Sequence, residues 1–266
     1  MTGALARIER DGLAFYQVAA WSDLPIVHGF TTRHGGVSPE PFAGLNLSIS
    51  VGDTRANVAE NRARAFRALG RDPNSIADLW QVHSADVVYA DTPRAPGQDH
   101  HGKADILITD RPEVTLFLRF ADCVPILLVD PARHAIGLVH AGWRGTVARA
   151  CAAAVTAMTD RFGSNPADLR AAIGPSISAA RYEVGLEVVA AAEAALGARA
   201  DEALSHVAGR HTFDLWRANA IVLEQSGVTA IEIGGVCTAE RTDDFYSHRA
   251  EHGRTGRFGA LFALAG

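Results

Sequence analysis

A cysteine and a histidine near the middle of this 266-residue chain are the first residues that could do chemistry. Cys123 and His140 lie at the outer ends of two apolar runs that flank Asp-Pro-Ala-Arg at residues 130–133, and Asp followed by Pro is a type I turn signature. The pattern predicts a hairpin in which Val129 pairs with His134, so that Cys123 faces His140 directly across the ladder. Opposed Cβ atoms lie about 4.5–5.5 Å apart, close enough for a thiolate and an imidazole to share a zinc ion or to form a nucleophilic Cys–His pair.

The alternative is that Cys123 is an inert buried thiol and that His140 only ends a strand, because free cysteine is among the most buried residue types. The residues that follow favour a site. Residues 141–146 read Ala-Gly-Trp-Arg-Gly-Thr, in which two glycines bracket Trp143 and Arg144. This arrangement is typical of backbone kept clear for a ligand and of a guanidinium aimed at an anion.

Composition excludes several classes of protein. The formal net charge of -5 and the pI near 6.1 argue against a nucleic-acid-binding platform, which would be basic overall or along one stripe. Three scattered cysteines do not make a disulfide framework, and no apolar run reaches the roughly 18 residues of a membrane span. The first ten residues lack a basic segment followed by an apolar one. We therefore expect a cytoplasmic protein with no nucleic-acid or membrane partner.

Periodicity predicts the elements that position these residues. Strand patterns both neighbour one another and alternate with helical patterns, which predicts an α+β fold. We find no repeat and no linker that would divide the chain, so residues 1–266 are expected to form a single domain. Strands are predicted at residues 24–32, 44–49, 79–90, 105–110, 114–118, 228–236 and 258–264, and helices at residues 54–69, 147–162, 186–196 and 214–227.

Other histidines and cysteines are weaker candidates. His83 lies in a predicted strand and can be a third ligand, although a lone histidine in a strand is more often structural. Cys151 falls on the apolar stripe of a predicted helix, so we exclude it from the site. Residues 93–102 form a predicted surface loop in which His100 and His101 are expected to be solvated.

Arginines near the two ends of the chain suggest anion binding. Arg249 and Arg257 belong to a basic, glycine-containing loop that fits a phosphate or carboxylate better than a polyanion, the alternative being a solvated loop. Asn61 and Arg62 lie beside the apolar stripe of the first helix, where a solvated edge and a binding role are equally compatible with the spacing.

Familiar catalytic motifs are absent from the sequence. It has neither G-x-G-x-x-G nor G-x-x-x-x-G-K-[ST], and both H-E-x-x-H and the deaminase pattern H-x-E…P-C-x-x-C are missing. No two histidines are separated by one residue, so the histidine pairs of ordinary multicopper oxidases cannot be assembled.

Motifs across nearly the whole chain resemble the bacterial YfiH-like proteins, a family labelled at different times multicopper polyphenol oxidase (laccase), purine nucleoside phosphorylase and peptidoglycan editing factor. The resemblance implies a layered α/β/β/α arrangement shared with a group of cysteine hydrolases, and zinc binding by His83, Cys123 and His140. Ala180-Arg181 and Phe120 depart from the family pattern without removing a ligand. The matching motifs are residues 44–47, 61–62, 81–83, 121–125, 140–146, 173–175, 182–184, 245–249 and 255–257.

The leading functional hypothesis is a zinc enzyme of purine nucleosides. As the resemblance implies, it would cleave adenosine, inosine, guanosine or methylthioadenosine with phosphate and would deaminate adenosine. Asp122 is a candidate acid–base or ligand-supporting group beside the three zinc ligands. The candidate substrate-binding residues are Asn46, Arg62, Gln81, Arg144, Arg249 and Arg257, the arginines as phosphate partners.

Three rival functions are compatible with the same residues. The same zinc site can hydrolyse the amide of UDP-N-acetylmuramoyl-L-serine and release L-serine. A copper-dependent oxidation of phenols is disfavoured by the missing histidine pairs. A non-catalytic, zinc-stabilised module would close the metal site with a fourth protein ligand. The protein is expected to be a monomer or a homodimer.

Overall fold

A computed structural model describes residues 4–95, 98 and 100–266 of the chain. The strands are β1 Leu5–Arg10, β2 Leu13–Val18, β3 Ile26–Thr31, β4 Ile76–Asp78, β5 Val87–Tyr89, β6 Ile106–Thr109, β7 Thr115–Phe120, β8 Val124–Asp130, β9 Ala135–Ala141, β10 Arg170–Ile173, β11 Glu183–Val184, β12 Leu204–Val207, β13 Arg210–Phe213, β14 Ala230–Ile233 and β15 Phe258–Leu264. The helices are α1 Arg55–Ala68, α2 Trp143–Val147, α3 Ala150–Phe162, α4 Leu186–Leu196 and α5 Leu215–Gln225.

Two mixed six-stranded sheets form the middle of the molecule. The strand order is β1-β2-β3-β15-β7-β4 in the first sheet and β14-β10-β8-β9-β6-β5 in the second, and β11, β13 and β12 make a small third sheet. Helix α1 packs on the first sheet in one apolar cluster, and α3, α4 and α5 pack on the second sheet in another. The predicted α+β class with α/β/β/α layers is therefore confirmed.

A third apolar cluster lies between the two sheets, and strand alternation explains it. Along β8, Leu127 and Val129 face the first sheet, whereas Ile126 and Leu128 face the helices. Both faces of this strand are buried, which is why its sequence is apolar throughout rather than alternating. One face of the second sheet is turned towards the first sheet. Residues at the ends of the strands on this face lie at the open end of the core between the two sheets.

The central hairpin is confirmed, but its predicted register is wrong. Asp130 pairs with Ala135 and Pro125 pairs with His140, so Cys123 lies diagonal to His140 rather than opposite it. The carboxylate of Asp130 accepts hydrogen bonds from the backbone N–H groups of Ala132 and Arg133, each at 3.0 Å. His134 then adopts a left-handed conformation with φ 50°, so it belongs to the turn instead of the strand. The shift moves the pairing by an even number of positions, and Cys123 and His140 stay on one face.

Two predicted strands and one helix differ from the structure. Residues 79–86 are a loop. The strand before it, β4, pairs with β7 in the first sheet, and the strand after it, β5, pairs with β6 in the second sheet. Residues 44–49 contribute one isolated bridge at Gly44 and no strand. The helix predicted from residue 147 is broken at Arg149, whose φ of 59° separates α2 from α3.

Helix α1 forms as its sequence predicts. Thr54 caps it by accepting a hydrogen bond from the backbone N–H of Asn57, and the helix ends just before Gly70, which has φ 71°. Part of the loop predicted at residues 93–102 lies outside the described residues, namely 96, 97 and 99. Within the part of the chain that the structure describes, no helix has the length and apolar character needed to span a bilayer.

Asn61 holds the first loop of the chain against α1. Its side chain is fully buried, its Oδ1 accepts from Val37 N at 2.9 Å, and its Nδ2 donates to Ser38 Oγ, Gly44 O and Asn46 O. Sequence spacing placed this residue at a solvated edge or in a binding role, and the structure gives it neither.

Replacing Asn61 with Ala leaves several buried polar groups without partners, so we expect the free energy of unfolding to fall by about 2–4 kcal/mol. Chemical denaturation measures this. The matched control is Asn74→Ala at an exposed position, which should change the free energy by less than about 0.5 kcal/mol. Equal losses in the two variants would contradict the assigned role of Asn61.

Candidate metal centre

Three side chains meet at the open end of the core between the sheets. Cys123 lies in the short crossing from β7 in the first sheet to β8 in the second, and His140 lies on the inner face of β9. His83 comes from the loop between β4 and β5, which also crosses from one sheet to the other. One ligand atom from each of the three residues lies within 4.8 Å of the others, and the Sγ–Nε2 distance between Cys123 and His83 is 4.0 Å.

Asp105, at the start of β6, organises the two histidines. Its Oδ1 accepts from Nδ1 of His140 at 2.8 Å, which leaves Nε2 of that imidazole facing the site. Its Oδ2 accepts from the backbone N–H groups of Val82 and Ser84 at 3.0 and 2.7 Å. These two residues flank His83, whose φ of 63° is left-handed. One carboxylate therefore fixes the ring of one ligand and the backbone of another.

Burial and charge set the protonation states of the site. Burial raises the pKa of the Asp105 carboxyl, but its hydrogen bonds to His140 and to two backbone N–H groups outweigh this and lower the pKa to about 2. Burial likewise opposes ionisation of the Cys123 thiol, yet the imidazoles of His140 and His83 lower its pKa to about 6. For His140, burial is outweighed by the Cys123 thiolate and by Asp105, which raise the pKa to about 9. Without a metal, Cys123 and His140 are thus a thiolate–imidazolium pair at neutral pH.

The donor set fits a metal ion. Thiolates and imidazoles are ligands of catalytic zinc sites, and two ligands of one tetrahedral zinc ion lie about 3.5 Å apart. Cys123 Sγ and His83 Nε2 are 4.0 Å apart, so they would move slightly closer together on binding the ion. The support of His140 by a buried carboxylate is the usual arrangement around metal-bound histidine. Gly142 leaves room for the thiolate, because a Cβ at that position would lie 2.8 Å from Cys123 Sγ. Among the residues that the structure describes, this group has three side chains, which leaves a position on a tetrahedral ion for another group.

The three ligands lie in the wall of a pocket of about 520 Å³. Of the residues predicted from the sequence, Asp122, Gln81, Arg144, Arg249 and Arg257 also line this pocket. The structure thus brings eight of the predicted site residues together, three of them in the His83–Cys123–His140 cluster.

Asp122 and Arg249 are connected directly. The Oδ1 of Asp122 accepts from Thr238 Oγ1 at 2.7 Å and its Oδ2 accepts from the backbone N–H of Arg249 at 2.6 Å. The guanidinium of Arg249 donates to Glu183 O at 3.0 Å and lies 5.0 Å above the ring of Tyr182. Both carboxylate oxygens of Asp122 are occupied, so its visible role is to position Arg249.

Asn46 and Arg62 lie behind the pocket wall rather than in it. The Oδ1 of Asn46 accepts from the backbone N–H of Arg257 at 2.9 Å, so this amide supports an arginine of the pocket. The Nε of Arg62 donates to Leu47 O at 3.0 Å, and Arg62 lines a neighbouring pocket. Gln81 is engaged with Arg119, whose backbone and side chain both donate to its Oε1.

Sequence reasoning missed other residues of the site. Asp105 is the main omission, and the available signal was a carboxylate immediately before the apolar run of β6. Tyr182 and Trp80 line the pocket as well. His100, predicted to be solvated, instead lies in the wall with Nδ1 3.1 Å from Asp78 Oδ2, so that prediction is wrong.

The chain is similar to known proteins over nearly its whole length. A family model described as multi-copper polyphenol oxidoreductase laccase matches residues 27–265. A Deinococcus radiodurans protein named purine nucleoside phosphorylase is 44% identical over 91% of this chain and 90% of its own length, and the Bacillus subtilis purine nucleoside phosphorylase YlmD is 38% identical over 90% and 88%. The crystal structure of YlmD from Geobacillus stearothermophilus superposes with a TM-score of 0.93 at 33% identity, covering 99% of this chain and 100% of that one.

If Asp105 fixes two of the three ligands, Asp105→Asn should weaken zinc binding by about 10- to 100-fold, because the amide cannot accept from all three donors at once. Competition with a chelating dye measures the affinity. Asp86→Asn, an exposed neighbour in the same loop, is the control and should bind zinc as the unaltered protein does. Unchanged zinc affinity in Asp105→Asn would contradict the role assigned to this carboxylate.

The lowered pKa of Cys123 predicts its reactivity in metal-stripped protein. Alkylation by iodoacetamide should follow the thiolate, with a half-maximal rate near pH 6 instead of near the pKa of about 8.5 of an ordinary cysteine. Burial raises the pKa of the Cys151 thiol to about 12, and Cys237 is buried, so neither should react. Cys123→Ala should abolish the labelling. A midpoint above pH 8 would mean that the imidazoles do not stabilise this thiolate.

Proposed function

The chain belongs to the family described as multi-copper polyphenol oxidoreductase laccase, and from this premise we propose that it is a metal-dependent purine nucleoside phosphorylase. Phosphate attacks C1′ of the nucleoside, the N-glycosidic bond breaks, and the products are the free purine and ribose 1-phosphate. The observation that carries the proposal is the His83–Cys123–His140 cluster in the wall of a pocket that arginines also line. The curated relatives named above have this activity in their names.

We propose zinc as the metal. Blue-copper sites combine two histidines and a cysteine with a weak axial ligand that is often methionine. Met158, the one methionine among the described residues, is buried with α3 on the helix-facing side of the second sheet. Within residues 4–95, 98 and 100–266, His83, Cys123 and His140 are the only such group of three metal-ligating side chains. The described residues therefore offer one metal position and not the several that a multicopper enzyme needs.

The open pocket favours an enzyme over a zinc-stabilised module. A structural zinc site is closed by four protein ligands, whereas three ligands beside a substrate-sized pocket match a catalytic site. A zinc ion bound here would act as a Lewis acid and would lower the pKa of water. Bound in this way, it would supply Lewis-acid assistance to phosphorolysis and would activate water for deamination.

We assign phosphate binding to the arginines of the pocket. The guanidinium of Arg144 lies 4.3 Å from the Trp143 ring, and no hydrogen bond to another described residue engages it, so its donors are available to an anion. Arg249 is held from two sides, by Asp122 through its backbone and by Tyr182 through its side chain. Preorganised arginines of this kind stabilise phosphate and the charge that develops during transfer.

We further propose that the same pocket deaminates adenosine. In this reaction water adds to C6 of the purine, the amino group leaves as ammonia, and inosine is formed. Phosphate takes no part in it. The buried, hydrogen-bonded His140 and the thiolate of Cys123 would hold the metal for this step, so deamination depends on the ligands and not on the phosphate-binding arginines.

Metal analysis of purified protein tests the ligand set. We expect one zinc per chain in the unaltered protein and its loss in Cys123→Ala, His83→Ala and His140→Ala. Cys151→Ala and Cys237→Ala should retain zinc, because both thiols are engaged elsewhere. The Cys151 thiol donates a hydrogen bond to Asn219 Oδ1, and Cys237 Sγ accepts one from the backbone N–H of Ser178. Stoichiometric copper in protein never exposed to added copper, with zinc absent, would contradict the assignment.

Arg249→Ala should separate the two activities. Loss of a charge-assisted hydrogen bond to phosphate costs about 1.5–3 kcal/mol, so kcat/KM for phosphorolysis of inosine should fall about 10- to 100-fold. Adenosine deamination should stay nearly unchanged, whereas Cys123→Ala should abolish it. Mass spectrometry of the products measures both reactions.

Arg254→Ala, an exposed arginine of the same loop, is the matched control and should leave both reactions unchanged. Equal losses of the two activities in Arg249→Ala would show that this arginine holds the nucleoside instead of phosphate. Release of free base without phosphate would replace phosphorolysis with hydrolysis.

A further inference from the structure

Cleavage of the N-glycosidic bond of a purine nucleoside needs a proton as well as a nucleophile. As the C1′–N9 bond breaks, its electron pair passes to the purine, which departs more readily as a neutral molecule than as an anion. A proton added at N7 of the purine makes it neutral. An arginine is too weak an acid to supply this proton, because its pKa lies above about 12. The proposed reaction therefore requires a general acid in the same pocket.

Most titratable side chains of the described pocket wall already have a partner or a role. The side chains of the His83–Cys123–His140 cluster are the proposed metal ligands. Both carboxylate oxygens of Asp122 accept hydrogen bonds, and Nδ1 of His100 lies 3.1 Å from a carboxylate oxygen of a buried aspartate. None of these groups is placed to give a proton to a substrate.

Apart from the arginines, two titratable side chains of this described wall remain, those of Tyr182 and His248. Burial raises the pKa of the Tyr182 phenol to about 12, whereas a general acid works best when its pKa lies near the working pH. Histidine is the residue type whose ordinary pKa meets this requirement. His248 is exposed, and its ring makes no hydrogen bond to another described residue.

The backbone on both sides of His248 is held by carboxylates. Before it, the N–H of Ser247 donates to Glu251 Oε2 at 2.9 Å. After it, the N–H of Arg249 donates to Asp122 Oδ2 at 2.6 Å. Asp122 directly precedes the thiolate ligand in the sequence, so these contacts tie His248 to the chain crossing that carries this ligand.

Gly253 gives the imidazole of His248 its room. Its N–H donates to the carbonyl of His248 at 2.8 Å, and its φ of 80° is left-handed. A Cβ at this position would lie 3.2 Å from Cε1 of the imidazole. The loop thus fixes the backbone of His248, while the ring stands in the pocket wall with both nitrogens open to a ligand.

We propose that His248 is the general acid that protonates N7 of the departing purine. Its imidazolium gives a proton to N7 while phosphate forms the new bond to C1′ and the C1′–N9 bond breaks. The products are the neutral purine and ribose 1-phosphate, and the imidazole then takes up a proton from water. This role rests on the proposed nucleoside cleavage, and it is the same whether phosphate or water attacks C1′, because the purine leaves in both cases.

Comparison of inosine with 7-methylinosine, using zinc-loaded, full-length protein in mildly acidic buffer, tests the proposal. The methyl group gives N7 a permanent positive charge, so this purine leaves without receiving a proton. The variants are His248→Ala and Tyr182→Phe, the second of which removes the rival hydroxyl and keeps the ring beneath Arg249. His252→Asn is the matched control, because His252 is an exposed histidine of the same loop that does not belong to the described pocket wall. Release of the base, with and without phosphate, gives kcat/KM.

We expect His248→Ala to keep one zinc per chain and to lower kcat/KM for inosine about 100-fold or more. The ratio of 7-methylinosine to inosine cleavage should therefore rise at least about tenfold in this variant. His252→Asn should match the unaltered protein, and Tyr182→Phe should leave the ratio unchanged.

The proposal is overturned if the ratio does not rise in His248→Ala, if this variant loses its zinc, or if the ratio rises in Tyr182→Phe instead. Unaltered protein that releases no base from inosine, with or without phosphate, would overturn the proposed function and the role of His248 with it. Unaltered protein that cleaves inosine, together with a His248→Ala variant that cleaves it equally well, would overturn the role of His248 alone.

Discussion

The buried carboxylate of Asp105 is the interaction on which the site depends. It accepts from His140 with one oxygen and from the backbone on both sides of His83 with the other. The backbone carbonyl of the same residue accepts from His140 N at 2.8 Å, so β6 and β9 are paired where the ligand begins. A buried charge is tolerated only when it is well hydrogen-bonded. The hydrogen bonds that stabilise the buried carboxylate of Asp105 are therefore the same ones that position the two histidines.

The layered architecture explains why the reactive residues meet at the end of the sheets. The chain leaves the first sheet for the second at residues 79–86 and again at residues 121–123, and each crossing carries one of the proposed ligands, His83 or Cys123. Both crossings contain a residue with positive φ, His83 at 63° and Asp122 at 81°. Such backbone conformations persist where surrounding contacts enforce them, and here those contacts are made by Asp105, Thr238 and Arg249.

Local signals in the sequence were sufficient for some features. The capping candidates Asp53 and Thr54 and the apolar stripe predict α1 correctly, with Thr54 as the cap in the structure, and the turn residues 130–133 predict the hairpin that presents Cys123 and His140. The register was missed because it depends on side-chain hydrogen bonds of Asp130 and on the left-handed conformation of His134, which the turn signature does not specify. The positions of His83 and His100 were predicted wrongly because each depends on a carboxylate that is distant in the sequence. His83 lies in a loop rather than a strand because a carboxylate some twenty residues later in the sequence fixes its backbone, and His100 is drawn into the pocket wall by Asp78.

Anomalous diffraction from crystals of the zinc-loaded protein, collected on both sides of the zinc absorption edge, tests whether His83, Cys123 and His140 hold the metal. We expect one zinc peak per chain, about 2.3 Å from Cys123 Sγ and about 2.0–2.1 Å from a ring nitrogen of His83 and from Nε2 of His140, with no fourth protein ligand. Nδ1 of His140 should remain on Asp105. A metal bound through Nδ1 of His140, a site closed by a fourth side chain, or zinc located away from these three residues would contradict this expectation.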